Sequence, residues 1–510
     1  MRKSLTQNDL LIRWWLTLTL SATASLSAPF LIDGISYVKV LIALILTSCL
    51  MPIILARLTN SVSPKTISVV FLMFLNINLY LMYLTSISYR SVFGAPGRHN
   101  GFLSVIVCFY FFVIGMYIRK FWSTFDVYKT ISIVSVSTSF CILILRELDV
   151  GSNSIFASND FTSSDFSDNS NLIAPLVCVG ILSSMISFRK SKSYLFLLFM
   201  IPIAIVAIQL SLVQVYLNMI ISLSILGIST LKREINAKWI PVAIFSGYLL
   251  GLLLASQGLF DRDSSTKERI DILRESGKLW DNFTLFPRNI DGLSDFTKNF
   301  VSLNATPFLD DFHNVFLQTT FSFGLIIGVL FLVLATTPFF AKFPIYKEKL
   351  EFFSVYTSLL VSLLIGISSP NYIYVFFLLL GYSSFSFLKR SQAFPIKRPM
   401  FTRAALGLGV LLVLIPTYVQ LEDLNVRYKI SDRASKVKAL GVFTGPNFNA
   451  LLHDLNEIDD AGYRYRMALN FYSIGECKYG DSVYEMMLKT NSNEARLRGL
   501  KVIKEGCFQG

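Results

Sequence analysis

The chain has few of the residues that build metal sites and polar protein surfaces. It contains only three histidines among its 510 residues. No HExxH or CxxC pattern occurs, so no metal site is predicted. Charged residues make up only 15% of the chain, and no internal repeat is evident. These shortages exclude the usual zinc-dependent enzymes and argue against a set of ordinary soluble domains.

Long apolar runs occupy much of the remaining sequence. Hydrophobic residues make up 53% of the chain, and the mean hydropathy is +0.56. Many runs reach about 18 residues or more, which is long enough for a helix to cross a hydrocarbon core of about 30 Å. The composition therefore predicts an all-α fold, that of a polytopic integral membrane protein.

The apolar runs predict about thirteen transmembrane helices. They lie near residues 14–30, 38–56, 66–85, 101–118, 127–145, 171–188, 193–209, 210–230, 239–255, 314–338, 350–369, 371–388 and 404–418. Arg2, Lys3 and Arg13 precede the first run and predict a cytoplasmic N-terminus. An uncleaved first span is favoured over a signal peptide, the alternative that small residues such as Ala24 and Ala28 fit.

The net charge of +13 is interpreted as a topology signal, and no nucleic-acid partner is predicted. Basic clusters occur on every second connection between spans, which predicts that those connections are cytoplasmic. The clusters are Arg57/Lys65, Arg119/Lys120, Arg189/Lys190/Lys192, Lys232/Arg233/Lys238, Lys342/Lys347/Lys349 and the basic residues of 389–403. The other connections, including 86–100, 146–170 and the long loop 256–312, face the opposite side. An odd number of spans places the C-terminus on that outer side.

Two regions follow from this topology. Residues 1–418 form a multi-span membrane domain, and residues 419–510 form a soluble helical tail with a turn near Gly445-Pro446. Four cysteines (Cys49, Cys108, Cys141 and Cys178) lie within apolar runs and are expected to be small hydrophobic residues. Cys477 and Cys507 lie in the tail, where a disulfide is expected if the tail is outside the cytoplasm.

The outer loop contains a predicted amphipathic helix with an arginine on its apolar face. Ser265 and Glu268 have the spacing of a capping box, and the helical pattern continues to Phe283. Arg269 projects near the middle of the apolar face. An unpaired arginine there costs several kcal/mol, so Arg269 either snorkels, has an internal partner, or faces an anion at the membrane surface. Arg274 lies among acids on the polar face, where a solvated structural charge is the simplest interpretation.

A histidine and two acids precede the apolar run at 314–338. The helix dipole favours neutral imidazole at His313, whereas Asp310 and Asp311 favour the imidazolium form. His313 is therefore a candidate general base, and a structural hydrogen bond at the helix start is the alternative. Either aspartate can cap the helix. Gly324 and Gly328 have GxxxG spacing, which predicts close packing against another helix.

The other outer connections contribute further polar candidates. Arg98, His99 and Asn100 form a tight turn that leads into the span at 101–118. Arg98 is either an interfacial anchor or a second arginine of an outer site. Asn171 opens the span at 171–188, where it can also serve as a helix N-cap.

Four of these stretches together resemble the O-antigen ligase and O-antigen polymerase superfamily of bacterial envelope enzymes. His313 to Gly328 resembles the signature of the family, with His-Asn-x-Phe-Leu-Gln followed by Phe-Gly and Gly. Arg269 to Pro287 partly fits a second family segment, and residues 93–101 and 171–174 are similar to two others. Many members carry a Ser-Arg pair at a middle span, where this chain has Ser211-Leu-Val-Gln214.

The resemblance implies a metal-independent glycosyltransferase that needs no cofactor. Its donor is an undecaprenyl-diphosphate-linked oligosaccharide at the periplasmic face of the bacterial inner membrane. With the chemistry that this resemblance implies, His313 is the candidate catalytic base, Arg269 and Arg98 are the candidates that neutralise the diphosphate, and Asp310 or Asp311 is expected to orient His313. The implied substrate-binding residues are Arg98, His99, Asn100, Asn171, Gln214, Arg274 and Asn314.

The acceptor is left open by the residues. A polymerase extends another lipid-linked repeat unit, a ligase uses the lipid A core, and a related group uses a protein hydroxyl. The thirteenth span and the periplasmic tail favour a polymerase, for which a chain-length regulator is a further candidate partner. A lipid-linked oligosaccharide flippase is the alternative from another class, and a membrane scaffold is a third.

Overall fold

The structure is a computed structural model. It describes residues 7–26, 36–59, 101–119, 121–147, 173–209, 213–228, 285, 314–341, 343, 345–366, 369–384, 414–430, 432–433, 446–457, 461–473, 475–489, 501, 504–505 and 507. These residues are helical apart from short turns and connections, and they include no strand. The predicted all-α class is therefore confirmed. The predicted spans near 66–85 and 239–255, and the loop 256–312 apart from Leu285, lie outside the described residues.

The described helices follow the predicted spans closely. They are α1 (Gln7–Ser25), α2 (Ser36–Thr59), α3 (Phe102–Ile118), α4 (Thr124–Glu147), α5 (Ala174–Ser191), α6 (Leu195–Gln209), α7 (Val213–Ile228), α8 (Val315–Thr336), α9 (Tyr346–Ile365), α10 (Ile373–Ser384), α11 (414–430), α12 (Pro446–Glu457), α13 (Ala461–Ser473) and α14 (Cys477–Lys489). A 3-10 turn at Thr337–Phe340 follows α8. α1 to α10 share one apolar core.

Several helices have the composition of membrane helices. Thr124–Ile144 and Phe323–Phe340 are long and apolar enough to cross a membrane, within the part of the chain that the structure describes. Shorter apolar helices occur at Tyr37–Met51, Phe102–Ile118, Leu195–Gln209, Asn218–Gly227 and Ile373–Ser384. These helices are consistent with membrane association.

Helix α6 presents a large apolar surface to the outside of the bundle. Leu198 is 59% exposed, and Ile208 is 68% exposed. Leu195 and Ile201 lie on the same exposed surface. Soluble monomers rarely expose contiguous apolar patches of this kind, so this face is suited to contact with lipid chains.

Two glycines allow α3 and α10 to pack backbone against backbone. A Cβ atom added at Gly115 would collide with the backbone oxygen of Leu378 on α10. A Cβ added at Gly381 would collide with the backbone oxygen of Phe112 on α3. Small residues at such crossings are typical of helix packing in membranes, where backbones can approach closely. Gly115 and Gly381 were not predicted from the sequence to pack together.

Helix α8 reverses direction at Gly324, which changes the interpretation of the GxxxG pair. Gly324 has φ 84° and ψ 162°, a backbone conformation that favours glycine. Phe316 and Phe331 would be about 22 Å apart on a straight helix, yet their ring centroids lie 4.9 Å apart. A Cβ added at Gly328 would lie 2.8 Å from Cβ of Thr320. The predicted span at 314–338 is therefore divided at Gly324, and its two halves pack antiparallel against each other.

One end of the bundle collects basic residues and is called the basic end. Arg13 pairs with Asp126 at 2.9 Å, which joins α1 to α4. Arg119, directly after α3, donates to the Tyr382 hydroxyl of α10 at 2.6 Å. Three of the predicted cytoplasmic clusters, those of Arg119, Arg189/Lys190 and Lys347/Lys349, come from helix ends that meet here.

A buried carboxylate holds the basic end together. Glu351, near the start of α9, is 1% exposed. Arg189 of α5 lies 2.8 Å from one of its oxygens, and Lys190 lies 2.9 Å from the other. Lys190 also donates to the Thr124 hydroxyl at 3.2 Å. The ends of α4, α5 and α9 are therefore fixed by one group of charges.

The tail has its own small core. Phe448, Leu451, Phe471 and Met487 pack together with Ile430, which belongs to the end of α11. α11 therefore runs through the predicted boundary between residues 418 and 419 and joins the two regions. Further core residues are Leu455, Met467, Ala468, Tyr472 and Val483.

Covalent and polar contacts complete the tail. Cys477 and Cys507 form a disulfide. The Tyr472 hydroxyl donates to Asp481 at 2.8 Å. Burial, together with the neighbouring Asp481 carboxylate, raises the pKa of Tyr472. Tyr472 therefore keeps its proton, and this hydrogen bond, to a higher pH than an ordinary tyrosine does.

The contact between α3 and α10 can be tested with two glycine variants. Gly381→Ala should unfold at a clearly lower temperature in detergent, because its methyl group meets a backbone oxygen that cannot move cheaply. We expect a loss of about 1–3 kcal/mol. Gly227→Ala on α7 is the matched control, because nothing lies within 4 Å of the added methyl group. Equal unfolding temperatures for both variants would show that α3 and α10 do not pack in this way.

Candidate functional site

Most of the predicted site residues lie outside the described part of the chain. These are Arg98, His99, Asn100, Asn171, Arg269, Arg274, Asp311 and His313. Gln214 lies in the first turn of α7, where the structure describes its backbone. Asn314, the residue after His313, is described in full. Asn314 is therefore the predicted site residue whose side-chain contacts the structure describes.

Asn314 forms the N-cap of α8. Its side-chain oxygen accepts hydrogen bonds from the backbone N–H groups of Phe316 and Leu317, each at 3.0 Å. This satisfies two of the four N–H groups that a helix start leaves without an intrahelical partner. The cap of this helix is therefore Asn314, rather than Asp310 or Asp311 as predicted.

The same side chain ties the start of α8 to another helix. The Asn314 amide donates to the backbone oxygen of Leu364 at 2.9 Å, in the last turn of α9. Asn314 is only 3% exposed. The side chain of Asn314 is therefore fixed both to its own helix and to α9. These contacts give Asn314 a positioning role; its predicted contact with substrate stays a prediction.

Aromatic stacking strengthens this arrangement. Phe316 stacks on Phe331 across the α8 reversal, and Phe331 stacks on Phe377 of α10 with centroids 6.1 Å apart. Such pairs contribute about 0.5–1.5 kcal/mol beyond the area they bury. The segment that follows His313 is therefore held against both α9 and α10.

One residue of the long loop is placed beside the reversal. The backbone N–H of Ile326 points to the backbone oxygen of Leu285 at 3.5 Å, a long hydrogen bond. Leu285 belongs to the predicted outer loop that also contains Arg269. The contact places Leu285 beside the second half of α8.

A buried lysine lies at the same end of the bundle. Lys39, in the first turn of α2, is 2% exposed, and its Nζ donates to the Asn371 side chain at 2.5 Å. Asn371 lies in the connection between α9 and α10, seven residues after Leu364. A positive charge at a helix N-terminus opposes the helix dipole, so the surroundings of Lys39 must compensate it.

A second buried cation lies where α11 meets α2. Arg427 is fully buried, pairs with Asp423 at 2.6 Å, and lies 4.1 Å from the Tyr37 ring centroid. The Tyr37 hydroxyl donates to the backbone oxygen of Gln420 at 2.7 Å. α11 is therefore attached to the N-terminal end of α2, next to Lys39.

These contacts define a second end of the bundle, called the Asn314 end. It comprises the start of α2, the start of α8, the α9–α10 connection and the middle of α11. On α9, Leu364 marks this end and Glu351 marks the basic end. They are thirteen residues apart, or about 20 Å along the helix axis. Asn314 and the basic end therefore lie at opposite ends of α9.

Lys39, Asn371 and Arg427 were not identified as candidates from the sequence. An ionisable residue inside or beside an apolar run is a functional candidate by default, and that rule would have selected Lys39. Arg427 and Asp423 carry no such signal, because they lie in the polar tail sequence. Among the described residues no group of three or more His, Cys, Asp or Glu could hold a metal ion.

The positioning role of Asn314 gives a direct test. Asn314→Ala removes the cap and the bond to Leu364, so we expect it to lower the free energy of unfolding by about 1–3 kcal/mol. Thr336→Ala on the same helix is the control, since its exposed hydroxyl bonds only within its own turn. Thermal unfolding in detergent provides the measurement. A wild-type unfolding temperature for Asn314→Ala would contradict the assignment.

Comparisons of the chain with protein-family models, with curated proteins and with solved structures find no match.

Proposed function

We propose that this chain is a polytopic membrane glycosyltransferase that acts at the periplasmic face of the bacterial inner membrane. Its donor is an undecaprenyl-diphosphate-linked glycan, and its acceptor is a second lipid-linked repeat unit. It is thus an O-antigen or capsular polysaccharide polymerase. The observation that carries the proposal is the fixed position of Asn314, at the end of the bundle away from the basic clusters and directly after His313.

The two ends of the bundle support this orientation. Basic connections are retained in the cytoplasm, so the end with Arg119, Arg189 and Lys190 is the cytoplasmic one. α1, α4 and α9 begin at that end, and α3, α5 and α10 finish there, as alternating spans require. The Asn314 end is then periplasmic, where His313 and the loop with Arg269 meet the substrate.

The tail supports a polymerase over a minimal ligase. Ligases of the family that the chain resembles usually end in the cytoplasm. Here α11 reaches the Asn314 end through the Tyr37–Gln420 contact and continues into the tail core. The Cys477–Cys507 disulfide suits an oxidising compartment. Both observations favour a C-terminus on the periplasmic side.

The proposed reaction is a displacement at the anomeric carbon of the donor sugar. A hydroxyl of the acceptor forms the new carbon–oxygen bond, and the bond from that carbon to the diphosphate oxygen breaks. His313 takes the proton of the attacking hydroxyl as charge develops. Undecaprenyl diphosphate leaves with the electron pair, and Arg269 and Arg98 neutralise its charge by bidentate hydrogen bonds.

The other candidates position these groups. Asp311 orients His313 and stabilises its imidazolium form. His99, Asn100, Asn171, Gln214 and Arg274 contact the sugars or the diphosphate. The contact of Asn314 with α9 fixes the start of α8, the helix that the proposed base precedes in the sequence. Rigid support of this kind is what a catalytic base needs to stay within reach of its proton.

A transporter of lipid-linked oligosaccharide is a second candidate, favoured by one observation. α5, α7 and α9 pack together through buried polar residues, with the Asn218 amide donating to the Ser362 hydroxyl at 2.7 Å. Six buried hydroxyl and amide oxygens on these helices have no hydrogen-bond partner within the described part of the chain: those of Ser183, Ser184, Ser187, Ser222 and Thr357, and the Asn218 oxygen. Buried polar atoms of this kind often bind water, as a transport path requires.

The experiment is the surface-glycan ladder of a strain that lacks the gene. We expect core lipid capped with a single repeat unit, because the unit can still be ligated but not extended. Wild type should restore the full ladder, and His313→Ala or Arg269→Ala should not, at equal protein levels in the membrane. Thermal unfolding of the purified variants separates loss of chemistry from loss of folding.

Other patterns would change the assignment. Uncapped core with long lipid-linked glycan indicates a ligase, and uncapped core with repeat units held on the cytoplasmic face indicates the transporter. A full ladder with His313→Ala would show that His313 is not the base. Full ladders with both variants would indicate a structural scaffold instead of an enzyme.

A further inference from the structure

A groove of about 530 Å³ lies between the end of α11 and the first helix of the tail. One wall is formed by Val426 and Lys429 of α11 and by Arg433, three residues beyond its end. The other wall is formed by α12, through Asn449, Ala450, His453 and Asp454. The volume is within the range of pockets that bind small ligands.

The arrangement of charges in the groove favours an anionic ligand. Lys429 and His453 are exposed, one on each wall. Asp454 is 7% exposed and accepts a hydrogen bond from Arg433 at 2.5 Å. Arg433 is also held by the backbone oxygen of Ala450 at 2.9 Å. Asp454, the acid among the described lining residues, is thus paired with an arginine that two contacts hold in place, while Lys429 and His453 of the lining are exposed.

The remaining lining is suited to a sugar. The Asn449 amide can both donate to and accept from hydroxyl groups. Val426 and Ala450 provide small apolar surfaces, on which the C–H face of a sugar ring can rest. An inorganic phosphate ion would occupy only a small part of this volume.

The groove lies on the side of the bundle that the proposed reaction uses. Lys429 follows Gln420 by nine residues, or about 14 Å along α11. The backbone of Gln420 accepts the Tyr37 hydrogen bond at the Asn314 end. Arg427, which lies between Val426 and Lys429, is also 4.1 Å from the Tyr37 ring centroid, so the groove is close to the start of α2 at the Asn314 end.

From this arrangement we propose that the groove between α11 and α12 binds acidic sugar residues of the glycan. This inference rests on the proposed function, because it assumes a glycan at the periplasmic face. Lys429 and His453 contact the carboxylate of the sugar, Asn449 contacts its hydroxyl groups, and Arg433 is fixed by Asp454 as part of the site. The groove holds the chain beyond the reacting end and so favours repeated extension.

The test measures binding to the purified full-length protein in detergent. The probes are trigalacturonic acid, neutral maltotriose and inorganic phosphate, followed by microscale thermophoresis. We expect trigalacturonic acid to bind at least tenfold more tightly than maltotriose and to resist competition by phosphate. The double variant Lys429→Ala/His453→Gln should weaken its binding at least tenfold. Lys478→Ala, an exposed lysine of the tail outside the groove, should not change it.

The inference is overturned if the double variant binds trigalacturonic acid as tightly as wild type does. It is also overturned if maltotriose binds equally well, or if phosphate displaces the acid sugar, which would indicate an ion site. Both substituted side chains are exposed, so thermal unfolding should match wild type. Binding needs no transfer reaction, so the two experiments can give independent results. Binding can fail while the glycan ladder still depends on His313, and binding can succeed while the ladder does not depend on His313.

Discussion

The buried carboxylate of Glu351 is the interaction on which the rest of the architecture depends. Removing a carboxylate from water costs several kcal/mol unless cations and hydrogen-bond donors surround it. Arg189 and Lys190 supply those cations from α5, and Lys190 also reaches α4. This requirement fixes the ends of three helices at one level. It thereby fixes α9, whose other end receives Asn314 through the Leu364 carbonyl.

The positions of the side chains at the Asn314 end depend on how α9 is held. Because α9 is held at Glu351, its last turn offers a defined acceptor to the Asn314 amide, and the α9–α10 connection offers Asn371 to Lys39. The reversal at Gly324 then returns the chain so that Phe331 covers Phe316. The residue after His313 is consequently buried and held at several points, which suits a base that must stay oriented. The tail begins at the same end, through α11.

Some of this could be predicted from the sequence, and the reasons for the rest are physical. Long apolar runs predicted the helical class, and alternating basic clusters predicted that Arg119 and Lys190 lie at the same end of the bundle. Both signals are local in the sequence, so they could be recognised without the structure. The break at Gly324 was missed, since an apolar run looks the same whether it is straight or reversed. Lys39 and Arg427 were missed because their partners are distant in sequence. The chemistry assigned to His313 and Arg269 rests on the resemblance.

Topology is the most direct test of the central claim that the Asn314 end and the tail share the periplasmic side. Alkaline phosphatase, which is active only outside the cytoplasm, can be fused after Gly510 and, in a second fusion, after Lys192. Green fluorescent protein at the same two positions reports the opposite side. We expect phosphatase activity at Gly510 and fluorescence at Lys192. Fluorescence at Gly510 without phosphatase activity would place the tail in the cytoplasm and contradict the account.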